Sequence, residues 1–205
     1  MQTERYRLSF GTGGLFRQES VRIAELFLAH KDWESVREVV ETQNILQCRT
    51  ASTTRRRAAE IITRLKKLNV NELSQLALAH PRTQAYILWI ANCRCYRFIS
   101  DFAIDVIMDR FTALKSDITY TDFDLFFERK SLLHHELSKV SSSTRMKLRQ
   151  VLFKMMREAG IIDEDNRLIH ALLSPALCES FVKDSVLFLP LIRSSNQPER
   201  HHVGY

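Results

Sequence analysis

Helix-breaking residues are scarce in this sequence. Only five glycines and four prolines occur in 205 residues. A β-rich fold of that size would need a chain reversal about every 8–12 residues, most of them built on Gly, Pro, Asn or Asp. Apolar residues instead return at helical spacing through most of the chain, so the sequence predicts a mainly α, multi-helical protein. The length allows one large or two small domains with real cores. Hydrophobic residues at 45% and charged residues at 26% are ordinary for a folded protein. A formal net charge of +6 points to a polyanionic partner without identifying it.

The order of helices suggests three units and a tail. In residues 1–70, an amphipathic helix over 14–30 carries Leu15, Val21, Ile23, Ala24, Leu26, Phe27 and Leu28 as its apolar stripe. Asp32 then caps a short helix over 33–42 that turns Trp33, Val36, Val39 and Val40 inward. After a connection from Asn44 to Ala51, a basic helix runs from about 52 to 68, capped by Ser52 or Thr53. That is a helix-turn-helix-like order, with the last helix as the reading element. Residues 71–118 read as a central helical core, with helices over 72–79, 82–98 and 100–115. Residues 119–192 read as a winged-helix-like C-terminal unit. There Thr121 caps a helix to about Lys130, a short helical piece lies near 134–138, and a second basic helix over 142–159 is ended by Gly160. The run IIDEDNRLI then forms a small hairpin. A last helix over 175–183 and the apolar VLFLPLI pack back on the core, and residues 193–205 form a disordered tail.

The two basic helices echo each other. Aligned at Thr54 and Thr144, TASTTRRRAAEIITRL and SSSTRMKLRQVLFKM match in kind at most positions. On a helical wheel the first buries Ala58, Ile61, Ile62, Leu65 and Leu68, with Arg56, Glu60, Thr63 and Lys67 opposite. Arg57 and Arg64 take one shoulder, Arg55 and Lys66 the other. The second buries Leu148, Val151, Leu152, Met155 and Ala159, and turns Lys147, Gln150, Lys154 and Arg157 outward with Arg149 at the edge. Met146 and Phe153 also point outward on this wheel, which suggests that something covers them. In a major groove, Arg bonds guanine and Gln bonds adenine, while Lys and N-terminal hydroxyls hold phosphate. The candidate nucleic-acid contacts are therefore Ser52, Thr53, Arg55, Arg56, Arg57, Arg64 and Lys67 on the first helix, and Thr144, Arg145, Lys147, Arg149, Gln150, Lys154 and Arg157 on the second. The acidic turn Asp163-Glu164-Asp165 argues against phosphate contact at the hairpin tip.

Other motifs exclude other chemistries. The stretch GTGG lacks the Lys-Ser/Thr of a P-loop and reads as a flexible lead into the first helix. Asp101, Asp105 and Asp109 share a helix face, but no His is spaced with them, so a solvated stripe or a face toward a basic partner is expected rather than a metal site. Cys48, Cys93, Cys95 and Cys178 include no C-x-x-C pair and read as reduced thiols. His201 and His202 read as solvated tail. The N-terminus does not read as a signal peptide, and no apolar run reaches the ~20 residues of a membrane helix. A cytoplasmic protein without cofactor, metal or small-molecule substrate is expected.

Four segments in order, YRLSFGTGGLFRQES, LWIANCRCYRFISDFA, DFDLFFERK and STRMKLRQVLFKMMREAG, resemble the BrxA family of bacteriophage exclusion (BREX) systems, over about residues 5–190. The resemblance implies a small, all-helical, non-enzymatic component of a bacterial anti-phage system that binds DNA. It implies companions that include a DNA methyltransferase, a large ATPase and an alkaline-phosphatase-like protein. It carries over no catalytic residue and does not say which residues touch DNA. Three readings stay open at this level: a double-stranded-DNA binder using both basic helices, a protein-interaction adaptor among BREX components, and an RNA binder of the NusB type.

Overall fold

The computed structural model describes residues 5–11, 13–169, 175–181 and 184. A short 3-10 turn, Ser9–Gly11, precedes α1 (Arg17–His30), α2 (Trp33–Thr42), α3 (Ala51–Leu65), α4 (Val70–Leu78) and α5 (Pro81–Cys95). Three pieces then follow one another directly: α6 (Arg97–Phe102), a π-helical stretch (Ala103–Met108) and α7 (Asp109–Thr112). The chain continues with α8 (Tyr120–Ser131), α9 (His135–Ser138), α10 (Ser142–Glu158) and α11 (Pro175–Ser180). The fold is all-helical, as the scarcity of Gly and Pro implies.

Local chemistry sets most helix ends. Asp32 caps α2 by accepting the Ser35 N–H at 2.7 Å. Asn69 and Glu72 form a capping box at α4, and Pro81 opens α5. Two caps lie two or three residues ahead of the positions the sequence suggests. Thr50, not Ser52 or Thr53, caps α3, and Thr119, not Thr121, caps α8 in a box with Asp122; Ser141 caps α10. Gly160 ends α10 at φ 68°. The helix expected over 82–98 breaks at Tyr96, which is extended at φ −125° and ψ 98°.

One apolar cluster runs from Tyr6 to Phe181. Its centre is α5, where every residue from Gln84 to Cys93 is buried, including Trp89. A helix buried on all sides needs no polar face, which explains why the AYILWIANC run lacks amphipathic spacing. Phe98, Phe102, Phe123 and Phe126 pack edge-to-face and tilted beside it. Helix α4 packs against α1 and α5.

The hairpin expected at IIDEDNRLI is reduced to a tight turn with one antiparallel bridge, Ile162–Leu168. A second bridge, Asp117–Arg167, adds the segment before α8 to the same edge. No strand forms among the described residues. The connection between α2 and α3 spans residues 43–50, longer than the 3–4 residues of a tight helix-turn-helix. Arg94 joins α5 to Glu72 of α4 at 2.7 Å and to Asp184 at 2.6 Å. Cys48, Cys93 and Cys95 are free thiols. The Cys178 side chain, residues 182–183 of the expected last helix, the VLFLPLI run, both tail histidines and the expected tail lie outside the described residues.

Candidate nucleic-acid interface

Each basic helix buries the apolar stripe its wheel indicates: Ala58, Ile61, Ile62 and Leu65 on α3, and Leu148, Val151, Leu152 and Met155 on α10. The flanks differ. Arg64 is 2% exposed, so it does not lie on an open shoulder. Its guanidinium donates to the Gly14 carbonyl at 2.6 Å and to Glu60 at 3.0 Å, and it packs over the rings of Phe16 and Tyr96. Glu60, expected to face outward, also accepts from the Tyr96 hydroxyl. Arg57 is half-held, at 3.6 Å from Glu19 and over the Phe16 ring. The physical cause is the segment before α1, which crosses this flank of α3.

Other candidates are tied to acids of the same chain. Arg55 pairs with Glu41 at 3.2 Å but stays exposed. Arg145 pairs with Asp124 and Glu128 and covers the Phe127 ring. Arg149 pairs with Asp124 at 2.5 Å over the Tyr120 ring. Arg157 donates to the Asn166 side chain at 2.6 Å, and so braces the turn after α10. Phe153, off the apolar stripe of the wheel, is covered by Tyr120 and fully buried, whereas Met146 stays half exposed. Thr53 and Thr144 give their hydroxyls to the helix caps, bonding Thr50 and Ser141.

What stays open is narrower than the sequence suggests. Ser52, Arg56 and Lys67 are exposed at α3, and Ser143, Lys147, Gln150 and Lys154 form an exposed row on α10. Arg56, Lys67 and Lys147 have no ion-pair partner among the described residues. Lys154 has only Glu158, one turn away at 3.7 Å.

Side chains of both helices line one cleft. Arg57 of α3 and Lys154 and Glu158 of α10 line a cleft of about 440 Å³ walled by residues 14–19. Glu158 accepts the Leu15 N–H at 2.6 Å, while Arg64 holds the Gly14 carbonyl from the other side. A Cβ on Gly14 would lie 2.3 Å from Glu158 Oε2 and push that carboxylate off its bond. Gly13, at φ 97°, supplies the left-handed backbone that aims the chain into this gap. Gly14 and Leu15 are therefore held between the two basic helices.

The aspartate stripe has a basic partner within the chain. Lys130 of α8 bonds Asp101 at 3.3 Å and Asp105 at 3.0 Å. Asp101 also accepts the Tyr6 hydroxyl, and Tyr6 stacks on His134 at 3.9 Å. Burial pushes the Tyr6 hydroxyl's pKa far up, helped by the Asp101 hydrogen bond, so it remains a donor. This N-terminal segment lies on neither basic helix. Its signal is the alternation in YRLSF, with Tyr6, Leu8 and Phe10 on one side and Arg7 and Ser9 on the other.

The BrxA family model matches residues 4–184. A protein from Escherichia coli named "BREX protein BrxA" is 30% identical over 76% of this chain and 73% of its own length. Proteins of the same name from Bacillus cereus and Paramagnetospirillum magneticum are 26% and 23% identical, over 64% and 80% of this chain and 66% and 82% of their own lengths. The crystal structure of an uncharacterized protein from Magnetospirillum magneticum superposes with a TM-score of 0.79 at 21% identity, over 92% of this chain and 98% of that one. That likeness establishes a shared fold. No helix among the described residues is long and apolar enough to cross a membrane.

Proposed function

The chain belongs to the BrxA family, and on that footing we propose that it is a non-enzymatic component of a BREX anti-phage system that binds double-stranded DNA in the cytoplasm. The observation that carries the DNA reading is that α3 and α10 line one cleft through Arg57 and Lys154, while Arg56, Lys67 and Lys147 stay exposed elsewhere on or just after the same two helices. A basic residue engaged by its own acid gains little from phosphate, while an exposed unpaired one releases counterions when it binds. The residues that carry binding are thus the unpaired Arg56, Lys67 and Lys147, together with Lys154, whose pair with Glu158 is long at 3.7 Å and exposed, with Ser52, Ser143 and Gln150 beside them. Arg64, Arg145, Arg149 and Arg157 serve the fold.

The order of elements around α10 supports the reading. A helix, a short paired segment at 116–118, α8, the short α9, and then α10 followed by a tight paired turn is compatible with a winged-helix order, with α10 in the reading position. The shared core makes the two basic helices parts of one body, so DNA meets a single broad footprint. Two basic faces held in fixed relation each add contacts without a separate ordering cost.

Gel shifts with duplex DNA, single-stranded DNA and duplex RNA test this. Duplex DNA is expected to bind best, with log K falling steeply against log salt. Replacing Arg56 and Lys67, or Lys147 and Lys154, with Ala is expected to weaken binding and flatten the salt slope by roughly 1 per lost contact. Equal binding by wild type and both double variants refutes the assignment. Loss of a BREX-component pull-down with DNA binding unchanged would make the basic faces an adaptor surface instead. Tightest binding to duplex RNA would favour the NusB-type reading.

A further inference from the structure

The groove beside the first turns of α10 differs in kind from the cleft at residues 14–19. In that cleft the two helix cations each have a carboxylate: Arg57 has Glu19, and Lys154 has Glu158. The groove, of about 370 Å³, is lined by Leu8, Ser9, Gly11, Ser143, Thr144, Lys147 and Leu148, with no carboxylate among them. Its floor is apolar, its rim carries three hydroxyls, and its one charge is the unpaired Lys147. One wall is the chain segment that leads to α1.

That segment is held rigidly from beneath. Tyr6 is buried with its backbone N–H on Glu136 at 2.6 Å, and Phe10 is fully buried against Tyr96 and Phe98. The residues between and before these anchors face out: Arg5, Arg7 and Ser9 are exposed. Arg7 Nε donates at 3.0 Å to Ser9 Oγ on the groove wall, and its guanidinium lies 5.7 Å from the centre of the Tyr96 ring. Neither Arg5 nor Arg7 forms an ion pair among the described residues.

Resting on the DNA reading above, we propose that Arg5–Gly11 is a third DNA contact: a fixed basic arm that, with the first turns of α10, seats one strand of the duplex backbone. An acid-free groove with an apolar floor and a cationic, hydroxylated rim matches a sugar-phosphate unit, with the sugar on Leu8 and Leu148 and the phosphate toward Lys147, Ser143 and Arg7. Because Tyr6 and Phe10 fix the arm before binding, its contacts carry little ordering cost.

The test uses the full chain, a labelled duplex of about three helical turns, and anisotropy titrations across a salt series. In the R5A/R7A double variant, loss of two phosphate contacts flattens the log–log salt slope by roughly 2 and weakens binding about tenfold or more near 0.1 M salt. Ser143→Glu places a carboxylate at the groove rim where an acid favours the helix N-terminus, so it lowers affinity without destabilising the fold. Melting curves that match wild type are expected for both variants. Wild-type affinity and slope in Ser143→Glu and R5A/R7A, alongside weakened binding in K147A/K154A, would overturn the arm and leave the two-helix footprint standing. Failure of the wild-type chain to bind any duplex would overturn both. If R5A/R7A lowers the melting temperature, Ser143→Glu decides the question alone.

Discussion

Replacing Arg64 with Ala separates a fold residue from a binding residue that the sequence places in the same class. The side chain is 2% exposed and joins three parts of the molecule: Glu60 on its own helix, the Gly14 carbonyl before α1, and the rings of Phe16 and Tyr96. Removing it leaves Glu60, itself 12% exposed, with only the Tyr96 hydroxyl, and leaves the Gly14 carbonyl without this donor. Breaking a buried ion pair costs about 3–5 kcal/mol, because the remaining charge stays desolvated. The orphaned carbonyl and the lost ring contacts belong to the same network and do not add in full. At the 2–4 °C per kcal/mol typical of a chain this size, the melting temperature is expected to fall by roughly 10 °C. Arg64→Lys is expected to fall between Ala and wild type, since an ammonium cannot span carbonyl and carboxylate with the same fork. Arg56→Ala is the control, exposed and unpaired, and is expected to stay within about 0.5 kcal/mol of wild type while weakening DNA binding. Thermal unfolding by circular dichroism reads all three. An Arg64→Ala melt within a degree or two of wild type, paired with lost DNA binding, refutes the structural role.

Two further predictions concern the fold. Phe153→Ala is expected to cost about 3–5 kcal/mol, because the ring is fully buried against Tyr120. Met146→Ala, half exposed, is expected within about 0.5 kcal/mol of wild type, and equal effects in urea titrations would mean the helix is rotated from its described setting. At Asp122, burial opposes the charge, but the Thr119 backbone N–H, the Arg110 guanidinium and the Thr119 hydroxyl outweigh it and hold the pKa below the usual carboxylate value of 3.8. A depressed folded pKa stabilises above the unfolded value and ceases to do so as pH falls through the folded one. The stability advantage of wild type over Asp122→Asn is therefore expected to be constant above pH 5 and to shrink below 3.8. A gap unchanged between pH 7 and pH 3 would contradict this.

Features that depend on near neighbours along the chain are legible in the sequence. Helical spacing of apolar residues, the Asp32 cap, the Gly160 stop and the buried stripes of both basic helices can all be read in it, because each rests on residues within a turn or two. Cap positions slipped where several hydroxyls compete: TASTT offers three Thr and one Ser, and local preference does not say which one ends up extended. The aspartate stripe is legible as either solvated or facing a base, but not that Lys130 takes Asp101 and Asp105 while Asp109 stays exposed.

Only the tertiary structure decided which flank of each basic helix stays in solvent. Arg57 and Arg64 correspond to Lys147 and Lys154 in the aligned echo, yet Arg64 is buried and Lys154 is 57% exposed. The segment from Gly13 to Phe16 crosses α3 and covers that flank, while on α10 the acids of α8 take the opposite flank, through Arg145 and Arg149. Phe153 is buried for the same kind of reason, since Tyr120 arrives from a different helix. Solvent exposure of a helix face is set by what packs on it from afar, and periodicity carries no record of those long-range contacts.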